Sequence, residues 1–167
     1  MILPVPRAPA PTDAAMLACL AEVALAAGVV IRRIEAEGIT HRQKSDRNPV
    51  TEADHAAEAI IFAALTRLMP GVPVVAEEAT AAGAEVICGN RFVLVDPLDG
   101  TREFISGNGE YTVNIAVVED GAPVLGVVYA PARALLFAGR PGSAFRAIRA
   151  PGDRVNAQDW TPIASRK

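Results

Sequence analysis

Three short stretches gather the carboxylates whose grouping has a chemical use: Thr51-Glu52-Ala53-Asp54, Glu77-Glu78, and Asp96-Pro97-Leu98-Asp99-Gly100-Thr101. Each has an ordinary reading. Thr51 and Asp54 ahead of an apolar run match a helix capping box. Glu77-Glu78 reads as a solvated loop start, and Asp96 to Thr101 as an Asx turn in which Gly100 supplies a positive φ. Together they acquire a second reading, because Glu77 and Asp96 each follow a short apolar run, and strand ends carry functional groups on a rigid frame. If the two runs are neighbouring strands, Glu77, Asp96 and Asp99 converge in one small volume. Bare carboxylates there repel one another or raise their pKa values. A divalent cation resolves that conflict, and an oxygen-only set with no nearby Cys or His pair favours Mg²⁺ over zinc.

The spacing suggests an arrangement. Pro97 fixes the backbone after Asp96, the Leu98 carbonyl turns towards the same ion as Glu77 and Asp96, and Asp99 reaches a second ion. Two ions about 3.5–4 Å apart clamp the attacking and leaving oxygens of a phosphoryl displacement. Thr101, with Asp54 behind it, is then placed to orient and deprotonate a water. Phosphatases of the haloacid-dehalogenase type place D-x-D-G-T after a strand. Here the order is D-x-x-D-G-T, and the chain lacks the βα alternation of a doubly wound sheet.

The elements that must position these acids are read from periodicity. Thr12 or Asp13 caps a helix predicted to run to Glu37 and stop at Gly38. Its apolar stripe is Leu17, Leu20, Ala21, Ala24, Gly28, Ile31 and Ile34. A second helix is expected from about Asp54 to Pro70-Gly71, burying Ala57, Ile60, Ile61, Ala64, Leu65 and Leu68. Val72–Ala76 and Phe92–Val95 read as short strands, with a mobile small-residue loop, Ala79 to Glu85, between them. Tyr111 to Val118 and Val124 to Pro131 form an expected antiparallel hairpin, as do Ala134–Gly139 and Ser143–Ile148 around Arg140-Pro141-Gly142. The segment from Asn156 supplies one more short strand. Helices followed by antiparallel strands give an α+β fold: two helices packed on a largely antiparallel sheet.

Bulk properties bound the partners. The chain has 167 residues, 51% of them hydrophobic and 5% aromatic, enough for one domain with an Ala/Val/Leu/Ile core. A net charge of −3 argues against a binder of nucleic-acid polymers, so an anionic substrate must be met by local cations. Cys19 and Cys88 show no metal or disulfide spacing, which fits a reducing compartment. No export signal and no uninterrupted transmembrane run are read, and the expected location is the cytoplasm.

The stretches NPVTEADHAAE, VVAEEA and DPLDGTREFISGNGEYTVNIAVVEDG resemble the inositol-monophosphatase superfamily of magnesium-dependent phosphatases. Within it, TREFISGNGEYTVN is similar to the CysQ branch, the 3′(2′),5′-bisphosphate nucleotidases. The resemblance implies the N-terminal half of that family's layered α/β sandwich. It implies Glu77, Asp96 and the Leu98 carbonyl around an activating Mg²⁺, and Asp96 with Asp99 around a second. Thr101 and Asp54 would activate the water, assisted by Glu77 through its metal. The Gly100 and Thr101 amides would meet the phosphate, with Lys44 near it. Arg102, directly after the motif, is the cation expected beside an anionic substrate. The implied substrate is adenosine 3′,5′-bisphosphate, a by-product of sulfate activation, and some members associate peripherally with the inner membrane. An inositol phosphate is the alternative substrate, and a metal-binding domain with little activity the alternative role.

The family carries a further domain with a Trp-Asp motif that completes the second ion site. Here Trp160 follows Asp159, and the pair reads as structural. The expected organisation is therefore a flexible Pro-rich lead-in over residues 1–12 and an N-terminal phosphatase domain over 13–167 without the family's C-terminal domain. The surface facing that domain is expected to be apolar and to favour a homodimer. His41 and His55 read as exposed polar residues, and Glu78 as support for Glu77.

Overall fold

Two long helices and a seven-stranded sheet bury one another's apolar faces in the computed structural model, which describes residues 12–38, 41–43, 49–81, 83 and 87–164. The Pro-rich lead-in through residue 11, Lys44, and part of the small-residue stretch lie outside the described residues. Helix α1 (Asp13–Glu37) starts where the Thr12 side chain accepts from the Ala15 N–H, and stops at Gly38, whose φ is +103°. All seven positions of its expected stripe are buried, and so are Val23, Leu25, Ala27 and Val30. The stripe is wider than expected because α1 is packed against both the sheet and the second helix.

Helix α2 (Glu52–Leu68) follows a two-strand ribbon, β1 (His41–Gln43) antiparallel to β2 (Pro49–Thr51). Ala57, Ile61 and Leu65 are fully buried, while Ile60, Ala64 and Leu68 pack at the edge of the core. Each fully buried Leu or Ile contributes about 1.5–3 kcal/mol.

The sheet runs in chain order: β3 (Val74–Ala76), β4 (Arg91–Asp99), β5 (Thr112–Glu119), β6 (Ala122–Ala130), β7 (Leu135–Arg140), β8 (Ser143–Ile148) and β9 (Thr161–Ile163). Only β3–β4 is parallel; every later pair is antiparallel. Helix α1 lies over β5–β7 and α2 over β3 and β4, so one face of the sheet forms the core. Val95, Ile115, Val127 and Ala138 make one inward row across four strands. The opposite face carries Leu94 and Val128, 48% and 40% exposed, with the short helix that follows β3 at its edge.

Two local expectations change. Glu77-Glu78 does not open a loop but begins a short helix, α3 (Glu77–Ala81), tied to α2 where Glu58 accepts from the Ala79 N–H. Strand β4 does not end at Val95; it carries the DPLD residues within it, because β5 is long enough to keep pairing with them. A further short helix, α4 (Thr101–Ser106), follows directly. Asp159 and Trp160 are structural as read: Asp159 accepts from the Asn156 N–H and pairs with Arg149, and Trp160 packs on Phe145.

Candidate active site

Strands β3 and β4 place the first two acids. Their parallel register pairs Ala76 with Val95, so the next residues, Glu77 and Asp96, leave the pair side by side. Burial pushes the Asp96 carboxyl up to about 7, and the Glu77 and Asp99 charges push in the same direction. Asp96 also shares a hydrogen bond with Glu77, and its Oδ1 accepts from the Leu98 N–H at 3.2 Å, the link of an Asx turn.

A β-bulge places the third. Asp96 pairs with Asn114 and Asp99 with Thr112, so one residue on β5 faces two on β4. Residues three apart on a regular strand point to opposite faces. The extra residue restores Asp99 to the face that holds Asp96, while Leu98 turns into the core and is 1% exposed. The longer D-x-x-D spacing is therefore what a bulged strand needs to present both acids together.

Asp54 is only 2% exposed and does two things at once. Its Oδ2 accepts from the Thr51 N–H at 2.7 Å and the Thr51 hydroxyl at 2.6 Å, closing the capping box of α2. Its Oδ1 faces the Thr101 hydroxyl at 3.1 Å. That hydroxyl is also 3.2 Å from the Leu98 carbonyl. It has one proton to give, so donating to Asp54 leaves the Leu98 oxygen for another partner.

Gly100 makes this junction possible. Its φ is +93°, and a Cβ there would stand 2.9 Å from the Glu110 carbonyl oxygen and 3.2 Å from the Tyr111 Cα. Thr101 follows as the first residue of α4, and Arg102 is exposed on its first turn. His55 is exposed on α2, away from these contacts.

Two sets of neighbours were missed from sequence. Asn114 donates from Nδ2 to Asp99 Oδ2 at 3.0 Å, and its Oδ1 accepts from the Thr112 hydroxyl at 3.1 Å. The available signal was alternation: Thr112 and Asn114 are polar positions ahead of the apolar run Ile115–Val118, and Asn is disfavoured in strands. Tyr111, 1% exposed, packs edge-on against Phe104 of α4 and donates its hydroxyl to Glu35 of α1 at 2.6 Å. No local pattern announces that contact across 76 residues.

The donor chemistry fits a hard divalent cation: carboxylate and carbonyl oxygens only, with the Asp96 carboxyl raised to about 7 by burial and by the Glu77 and Asp99 charges. The cluster is not drawn tight. Among the described residues no three His, Cys, Asp or Glu side chains already stand close enough to hold a metal ion, and Asp99 is held by Asn114. A cleft of about 730 Å³ opens from Glu77, Asp96 and Asn114 along the uncovered sheet face, past Leu94, Ala116 and Val128.

Known proteins are similar to this chain in sequence and in fold. The signature of the inositol monophosphatase family matches residues 13–160. The 3′(2′),5′-bisphosphate nucleotidase CysQ of Salmonella typhimurium is 40% identical over 149 residues, 88% of this chain and 61% of that protein. The crystal structure of CysQ from Bacteroides thetaiotaomicron superposes with a TM-score of 0.68 at 31% identity, over 90% of this chain and 59% of that one. The extragenic suppressor protein suhB of Bartonella henselae gives 0.71 at 32%, over 86% and 55%. The chain thus spans a little over half the length of these relatives. With two long helices, a bulged DPLDGT strand and a matching signature over most of its length, it belongs to the inositol monophosphatase family.

Proposed function

We propose that this chain carries the greater part of a magnesium-dependent phosphomonoesterase site that removes the 3′-phosphate of adenosine 3′,5′-bisphosphate, leaving AMP. The observation that carries the reading is the β3–β4 register, which sets Glu77 beside Asp96 at one edge of the cleft, together with the β4 bulge, which turns Asp99 to the same face as Asp96. Glu77, Asp96 and the Leu98 carbonyl would hold one Mg²⁺, and Asp96 with Asp99 a second. Such ions, when bound, neutralise phosphoryl charge and act as Lewis acids. The protein's own groups handle the proton. The Thr101 hydroxyl takes up the attacking water's proton while passing its own to Asp54 Oδ1, whose partner oxygen is held by Thr51. The Gly100 and Thr101 amides, Arg102 and Lys44 would meet the phosphate.

The nucleotide substrate rests on the relatives named as bisphosphate nucleotidases. With that substrate the reaction would belong to sulfate assimilation in the cytoplasm, and peripheral inner-membrane association is what the sequence resemblance adds. The length of the relatives not spanned here would complete the second ion site and the nucleotide pocket. Two observations favour other readings: membership of the inositol monophosphatase family, an inositol-phosphate substrate; the open carboxylate cluster, a metal-binding domain with little turnover. One assay separates them. Phosphate release is followed from adenosine 3′,5′-bisphosphate and from inositol 1-phosphate, with and without Mg²⁺, beside Asp96→Asn. Mg²⁺-dependent release from the nucleotide, lost in the variant, is expected. Faster release from the inositol phosphate would reassign the substrate, and no release from folded chain that binds Mg²⁺ would reduce the role to metal binding.

A further inference from the structure

We infer that Asn114 is the positioning residue of Asp99, with Thr112 fixing which way its amide points. The inference rests on Asp99 being an ion ligand, as proposed above. Asn114 stands across the strand pair from Asp96, and Thr112 across from Asp99. The Thr112 hydroxyl donates to Asn114 Oδ1, so the amide nitrogen must face the other way, and there it donates to Asp99 Oδ2. One carboxylate oxygen of Asp99 is thereby tied down and the other left to aim.

Sheet stability does not explain an asparagine here. The position lies on the outer, partly exposed face, where a β-branched residue would suit the strand better. The chemistry does explain it. Aspartate would add another negative charge to a cluster that already raises the Asp96 pKa. Lysine or arginine would compete with the cation for Asp99. A neutral amide donor orients the carboxylate and does neither, the usual task of a group behind a metal ligand.

The test uses Mn²⁺ as a spectroscopic stand-in for Mg²⁺, titrated into the chain by electron paramagnetic resonance, which needs no turnover. Asn114→Ala is expected to weaken the Asp99-dependent part of Mn²⁺ binding about tenfold. Thr112→Val should weaken it less, because the amide stays but is free to flip. In an Asp99→Asn background, Asn114→Ala should add nothing, with thermal melts confirming that every variant folds. An equal loss in both backgrounds, or no loss in either, overturns the inference. Unchanged Mn²⁺ binding by Asp99→Asn overturns it too, while leaving Glu77 and Asp96 as ligands. A wild-type chain that binds no Mn²⁺ overturns the metal reading itself.

Discussion

At the scale of single residues, Asp96 links the fold to the chemistry. Folded, its carboxyl titrates near 7; in an unfolded chain it titrates near its ordinary 3.8. The folded state therefore holds the extra proton between those values. Its stabilising contribution is fully present below 3.8 and is lost as pH rises through about 7. Without divalent cation, the melting temperature should fall between pH 5 and pH 8, and Asp96→Asn should flatten that fall and raise stability at pH 8. A wild-type profile unchanged by the substitution would show that another group governs it. The same proton competes with a cation, so calorimetric Mg²⁺ affinity should drop from pH 8 to pH 6 with proton release on binding.

At the scale of elements, the long helix α1 is shaped by what lies beneath it. Gly28 sits mid-helix, where alanine would gain about 0.8–1.0 kcal/mol of helix propensity. A Cβ there, however, would stand 2.5 Å from Cε1 of the buried Tyr129 ring. Overpacking of that kind costs about 1–3 kcal/mol, so the clash wins. Urea unfolding of Gly28→Ala should show a net loss of up to about 2 kcal/mol from those opposed effects. Trimming the ring with Tyr129→Leu should make the added methyl neutral or favourable. A stabilised Gly28→Ala in the wild-type background would mean that the helix does not approach β6 so closely.

At the scale of the whole molecule, the sheet has one covered face and one open. The open face continues the candidate site: Asp96 and Asn114 at one end of the cleft, Leu94, Ala116 and Val128 beyond. Exposed apolar area of this kind associates. Leu94→Gln with Val128→Thr should lower hydrophobic-dye binding and concentration-dependent self-association in sedimentation, while the melting temperature moves little, since neither side chain is in the core. Unchanged dye binding would place the sticky surface elsewhere. Helix α1 is by length and composition apolar enough to cross a membrane, with a mean hydropathy of 2.3 in its most apolar window, yet 61% of that window is buried inside the protein. Its apolarity is used as core.

The sequence by itself determined what local chemistry controls. Thr12 and Thr51 mark helix starts through their side-chain acceptors, Gly38 marks a stop, and period-two alternation marks the hairpins from β5 to β8. DPLDGT stood out because its acids exceed what a turn needs. Tertiary structure decided the rest. The parallel β3–β4 pairing joins strands separated by a helix and a loop, and no periodicity within either strand encodes that partnership. Asp96 and Asp99 share a face only because β5 pairs on both sides of a bulge, so their common direction belongs to two strands at once. Asn114 reaches Asp99 across 15 residues of chain and Tyr111 reaches Glu35 of α1 across 76, contacts that exist only once β4 has paired with β5 and the sheet has closed against α1. Local propensity names the groups, and non-local pairing aims them.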